Sequence, residues 1–92
     1  MENELRFRKA VLQADRDGAQ AEMTLRSLLS HLDASPLRIR TLVFLGDLVM
    51  ARGDGHAARP LLEEATGLAK VLDPDQVLAH ETRLACELLA TL

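Results

Sequence analysis

The chain has 92 residues, of which 48% are hydrophobic and 27% charged, a composition typical of one soluble globular domain. Its formal net charge of −3 argues against nucleic acid or an anionic membrane as the main partner, because both attract basic surfaces. The single cysteine, Cys86, excludes an intramolecular disulfide and a multi-cysteine zinc site, and it favours a cytoplasmic location.

Five helices are predicted in chain order, and no segment has the alternating pattern of a strand. Their approximate bounds are 3–15, 19–33, 36–52, 56–72 and 74–91. The second and fourth carry the clearest amphipathic stripes, formed by Ala21, Leu25, Leu28, Leu29 and Leu32 and by Ala58, Leu62, Ala65 and Ala69. We therefore predict an all-α protein with one domain over residues 1–92, without a membrane span or a secretory leader.

Helix ends are marked by residues with capping and turn preferences. Ser35 before Pro36 is typical of an N-cap followed by proline at the first helical position. The run Asp73-Pro74-Asp75-Gln76 predicts in the same way that the last helix begins at residue 74. Pro60 falls inside the fourth helix, so that helix either starts late or kinks. Three glycines are expected to supply backbone freedom at chain reversals: Gly18, Gly53 and Gly55.

The sequence also repeats itself at a spacing of 37 residues, which separates Phe7 from Phe44 and Asp17-Gly18 from Asp54-Gly55. The other pairs at this spacing are Leu5 and Leu42, Leu12 and Val49, Ala14 and Ala51, Ala21 and Ala58, and Leu25 and Leu62. Residues 3–35 and 36–73 are therefore predicted to be two copies of one helical hairpin. The helix at 74–91 is expected to cover the open end of the second copy.

The second copy resembles a tetratricopeptide repeat, on the residues Leu45-Gly46, Gly53-Asp54, Ala58, Leu62 and Ala65. Gly46 and Ala58 match the small residues at the point where the two helices of such a repeat cross. The first copy departs from the pattern, with Arg8 and Lys9 where Leu45 and Gly46 stand. The resemblance implies antiparallel helix pairs stacked as a short right-handed solenoid of about five helices.

The resemblance further implies a protein-binding adaptor or a small chaperone, because the first helices of such repeats line a groove that holds a partner segment. Small bacterial chaperones are similar in size, and the excess of Arg over Lys is typical of a GC-rich bacterial genome. Asp47 is the foremost candidate contact, since a carboxylate is unusual within LVFLGDLVM. The implied groove residues are Arg6, Ala10, Gln13, Arg40, Val43, Asp47 and Met50.

Two other functions remain open on the sequence. A homodimer would assemble through a broad apolar arc of the last helix, with Val77, Leu78, Leu84, Leu88 and Leu89 as its candidate residues. A small enzyme or ligand-binding bundle is the more remote alternative, because no catalytic motif is present. The segment at 13–24 lacks the first and last ligands of a calcium loop, and HETRL lacks the second histidine of a zinc protease. We therefore expect no catalytic residue, cofactor or metal.

Overall fold

The computed structural model describes residues 2–92 and is all-helical, with no strand in that range. The prediction of an all-α protein with five helices is confirmed. None of these helices has the length and apolar character that crossing a bilayer requires, within the range described. The helices are α1 (Glu2–Ala14), α2 (Gly18–Leu29), α3 (Pro36–Ala51), α4 (Gly55–Leu72) and α5 (Ala79–Ala90).

The helices pack as two pairs, α1 with α2 and α3 with α4, and α5 follows them. The central helix α3 contacts each of the other four, and α5 packs against both α3 and α4. Among the helices described, α2 and α4 make no contact with each other, and α1 reaches neither α4 nor α5. Of the odd-numbered helices, α3 therefore contacts both α1 and α5.

The core lies around α3, which buries seven residues, whereas α1 buries only Phe7 and Ala10. The buried hydroxyl of Thr41 donates to the carbonyl of Leu37 at 2.8 Å, so this buried hydroxyl has a hydrogen-bond partner. The predicted apolar stripes of α2 and α4 both face this core. Their buried members are Ala21, Leu25 and Leu28 on α2 and Ala58, Leu62, Ala65 and Ala69 on α4.

The helix starts follow the predicted capping chemistry in both hairpins. Asp17 and Asp54 are the N-caps of α2 and α4, and each carboxylate accepts from a backbone N–H three residues later at 3.1 Å. Ser35 caps α3 in the same way, and Pro36 is its first residue. Gly18 and Gly55 therefore stand inside helices, and the expected backbone freedom is used only at Gly53, whose φ is +91°.

The two hairpin turns have three residues each, between Ala14 and Gly18 and between Ala51 and Gly55, but their hydrogen bonds differ. The Asp17 N–H donates to the carbonyl of Gln13, but the equivalent Asp54 N–H donates to that of Val49, a residue further back. Gly53, in the left-handed region, also donates to Met50 at 2.9 Å, which completes a Schellman motif. The turn before α4 is therefore the one that uses a left-handed glycine.

Burial differs between the first helices of the two hairpins. Leu5 is 55% exposed, while Leu42, which stands 37 residues later, is fully buried. Ala10 and Gly46 are small residues buried in α1 and α3. A Cβ atom on Gly46 would lie 2.6 Å from Leu62 Cδ2, so only a hydrogen fits between α3 and α4 there. Gly46 therefore allows α3 and α4 to approach closely.

The helix α4 runs without interruption from Gly55 through Pro60 to Leu72, so a late start, the first of the two alternatives for Pro60, is excluded. Proline lacks an N–H and leaves the carbonyl four residues earlier, that of His56, without its helical donor. His56 and Pro60 are both exposed, and water can hydrate the free carbonyl. The helix therefore tolerates this proline on its solvent side.

The last helix begins at Ala79, and the prediction that it begins at residue 74 is wrong. The Asp73 carboxylate accepts from the backbone N–H groups of Val77 and Leu78 at 2.8 and 2.7 Å. Gln76 has a φ of +58°, which is incompatible with a right-handed helix. The carboxylate thus holds residues 74–78 in a turn, because it takes the donors that a helix starting at Pro74 would use.

Two arginines of α3 and its C-cap join the hairpins. Arg38 donates to Glu64 of α4 at 2.6 Å and to the carbonyls of Leu29 and Leu32 at 3.0 and 2.8 Å, where α2 ends. At the other end of α3, Arg52 contacts Glu22 of α2 through two hydrogen bonds of 3.0 and 2.9 Å. The hydrogen bonds from Arg52 lower the pKa of the Glu22 carboxyl.

Candidate binding groove

A groove of about 320 Å³ lies over α3, between side chains of α1 and α5. This volume is at the lower end for small-molecule pockets and suits one or two side chains of a partner. Each of the three helices contributes at least two residues. The lining consists of Phe7 and Val11 from α1, Arg40, Val43, Phe44 and Asp47 from α3, and His80, Glu81 and Leu84 from α5.

The floor of the groove is an aromatic pair with aliphatic neighbours. The rings of Phe7 and Phe44 meet edge to face, with centroids 6.1 Å apart and an interplanar angle of 74°. Phe7 is buried, but Phe44 is only half-buried, so part of its surface faces the groove. Half-buried Leu84 of α5 lies against the same core. The groove therefore offers apolar surface to a partner side chain.

The rim of the groove is charged. The Arg40 guanidinium lies over the Phe7 ring, 5.1 Å from its centroid, in a cation–π contact that links α3 to α1. Asp47 is exposed and Glu81 is half-buried. Within Glu2–Leu92, neither carboxylate forms an ion pair. The rim thus carries two carboxylates whose charge the chain itself does not neutralise.

Helix geometry explains why the α3 residues gather here. Arg40 and Asp47 are seven residues apart and lie on one face of α3, separated by roughly 10 Å along its axis. Phe44 lies between them on that face, while the opposite face of α3 is buried. The packing of α5 against α3, through a side that includes buried Ala85, then supplies the third wall.

The structure gathers three of the seven groove residues implied by the sequence: Arg40, Val43 and Asp47. The other four lie elsewhere. Arg6 is exposed and pairs with Glu2 at 2.9 Å, and Ala10 is buried in the core. Gln13 accepts a hydrogen bond from Thr24 of α2 at 3.2 Å. Met50 is half-buried against the core, beside the start of α4.

Six lining residues were not among those implied by the sequence: Phe7, Val11, Phe44, His80, Glu81 and Leu84. The sequence-based prediction restricted the groove to the first helices of the two copies and gave the last helix the roles of a cover and a possible dimer surface. The packing of α5 against α3 adds the α5 residues to the groove. No local pattern of the last helix specifies that contact.

The residues proposed for self-association are mostly directed toward the chain's own core. Leu78, Leu84, Leu88 and Leu89 are half-buried and pack against it, whereas Val77 is 83% exposed in the turn before α5. The exposed face of α5 carries polar groups instead, among them His80, Arg83 and Glu87.

A second depression of about 540 Å³ lies between α4 and α5, beside the turn at 73–78. Its carboxylate, Asp73, is already used to hold that turn. The depression has no aromatic surface, and its lining combines the cations Lys70 and Arg83 with small residues. The groove at α1, α3 and α5 is therefore the stronger candidate, because apolar floor and free charge coincide there.

Fold and groove together define an all-α protein built from packed helix pairs, with one aromatic-floored groove between its odd-numbered helices. The chain matches no family model, no curated protein and no solved structure. The geometry of the groove is therefore the basis for assigning a function.

Proposed function

We propose that this chain is a protein-binding module, an adaptor or small chaperone, which holds a segment of a partner protein in the groove between α1, α3 and α5. The observation that carries the proposal is the free surface of Phe44, beside the Phe7 ring and within a charged rim. An apolar centre that excludes water, surrounded by polar groups, is the usual anatomy of a binding hot spot.

The order of helix contacts also supports the proposal. If the two hairpins are tetratricopeptide-like repeats, α1, α3 and α5 take the places of the helices that line the concave side of a right-handed solenoid. The contacts of α3 with α1 and α5 fit that arrangement, as does the close approach of α3 to α4 at Gly46. A partner helix or extended segment would lie across these three helices.

The proposal is tested by selecting binders from a random peptide display library on the wild-type chain. The groove variant carries Asp47→Arg and His80→Arg, which place two long cations at exposed rim positions. The control variant carries Glu63→Arg and His56→Arg, the same charge changes at exposed positions of α4. Selected peptides should bind the wild type and the control alike and lose at least tenfold in affinity on the groove variant.

Circular dichroism and thermal unfolding of each variant establish that the fold is intact. Peptides that bind the groove variant as tightly as the wild type would contradict the proposal, and so would a library that yields no binder.

Self-association through the last helix has weaker support, because four of its five candidate residues pack against the chain's own core. Sedimentation velocity at several concentrations distinguishes a monomer from such a dimer. A dimer that Val77→Lys disrupts would restore this alternative.

A further inference from the structure

We infer that the partner segment is a basic amphipathic helix, with an apolar anchor residue in the groove and Lys or Arg one turn to either side of it. This inference rests on the proposed function of the groove and adds the chemistry of its occupant. Three properties of the rim lead to it: its charge balance, the absence of internal partners for its acids, and their spacing from the apolar floor.

The charge balance of the rim is acidic. Two carboxylates, Asp47 and Glu81, line the groove against one guanidinium, that of Arg40. Arg40 is held over the Phe7 ring, where its cation already has a favourable neighbour. The chain as a whole has a net charge of −3, so its long-range field also attracts a basic partner.

These carboxylates differ from two others in the molecule. Glu22 and Glu64 are bound by Arg52 and Arg38 and serve to join helices. Asp47 and Glu81 have no ion-pair partner in the part of the chain that the structure describes, although both border apolar surface. A bound ammonium or guanidinium group would supply that partner, in a setting partly shielded from water.

The spacing of the rim acids fits a helix. Asp47 stands three residues after Phe44 on α3, and Glu81 stands three residues before Leu84 on α5. Residues three apart on a helix are neighbours on one face, so each apolar floor residue has a carboxylate about one turn away. When an apolar anchor residue of a helical partner lies on the floor, the partner's residues three or four positions before or after that anchor come within reach of Asp47 and Glu81.

The test uses three synthetic helical peptides of about sixteen residues that share one apolar stripe. Their flanking positions carry Lys in the first peptide, Glu in the second and Gln in the third. Fluorescence anisotropy at low salt should show the Lys peptide binding at least tenfold more tightly than the Glu peptide. The advantage should shrink as salt screens the charges.

Variants of the chain assign this preference to the groove. Asp47→Asn with Glu81→Gln should reduce the advantage of the Lys peptide to about twofold or less, and Asp47→Lys with Glu81→Lys should reverse it. The conservative pair guards against misfolding at half-buried Glu81. The control is Glu63→Gln with Asp75→Asn, which removes two charges at exposed positions outside the groove and should preserve the advantage.

The outcomes separate the two claims. Groove-dependent binding of all three peptides with equal affinity would overturn the inference about charge and leave the proposed function intact. A control pair that reduces the preference as much as the groove pair does would assign it to net charge, which also overturns the inference. Failure of all three peptides to bind would count against both.

Discussion

The two hairpins of this protein have the same local design and different surroundings. Asp17 and Asp54 cap α2 and α4 with identical hydrogen-bond lengths, and both following helices bury a stripe of Ala and Leu. The first helices differ: α3 packs against the four other helices, whereas α1 packs only against α2 and α3. Burial of a first helix is therefore set by its place among the helices, while its ends are set by local sequence.

Truncation of Leu42, compared with truncation of Leu5, has the largest expected effect on stability and tests this difference in burial. Leu42 is fully buried in α3, and Leu5 is 55% exposed on α1. Leu42→Ala should destabilise the fold by about 2–5 kcal/mol, because it removes buried methyl groups and leaves a cavity. Leu5→Ala should change the free energy of unfolding by less than about 0.5 kcal/mol. Urea denaturation measures both, and similar losses would show that α1 is buried as deeply as α3.

The close approach of α3 to α4 at Gly46 comes next in expected size. Gly46→Val should cost about 1–3 kcal/mol, since the new side chain overlaps buried Leu62. Gly67→Val is the matched control on α4, where a Cβ atom meets nothing within 4 Å, and it should be nearly neutral. A neutral Gly46→Val would mean that the helices of the second hairpin cross at a larger distance.

The turn at Gly53, in the second hairpin, has the next largest expected effect. Gly53→Ala should destabilise the protein by roughly 1 kcal/mol, because an L side chain is strained at a φ of +91°. Gly18→Ala, at the start of α2 and with open space around its Cβ position, should be neutral or stabilising. Thermal unfolding of the two variants checks this, and equal melting temperatures would remove the left-handed residue from the turn.

The smallest effect concerns the ion pair that joins the hairpins. Arg52 lowers the pKa of Glu22, so the pair stabilises the fold above the unfolded-state pKa of about 4.3 and ceases to do so as the pH falls through the folded-state value. Arg52→Gln should therefore lower the melting temperature at neutral pH. The difference from wild type should shrink as the pH falls below the unfolded-state value and vanish once Glu22 is protonated in the folded state as well. A difference that persists unchanged in acid would contradict this role for Glu22.

Residues with local effects made much of the fold predictable. Asp54, Ser35 and the stripe through Leu62 specify helix starts and a buried face without reference to distant parts of the chain. The start of α5 was not predictable, because an Asp before a proline can either cap a helix or close a turn. The Asp73 carboxylate closes a turn. The Asp-Gly pairs align at a spacing of 37, but the different hydrogen bonding of the turn at Gly53 is not visible in them.

The groove was only partly predictable for a related reason. Arg40, Val43 and Asp47 share one face of a single helix, which periodicity reveals. Glu81 and Leu84 join them only because α5 packs on α3, a contact that no local pattern of the last helix specifies. The sequence shows Phe7 and Phe44 as a pair repeated along the chain, but it does not show that their rings contact each other.

The packing of each helix against neighbours no more than two places along the chain has a kinetic consequence. Such contacts close short loops, so little chain entropy must be lost before the first favourable interactions form. Helical proteins of this kind fold within about microseconds to milliseconds. During synthesis, α1, α2 and α3 can associate once residue 51 has left the ribosome, before α5 has emerged from it.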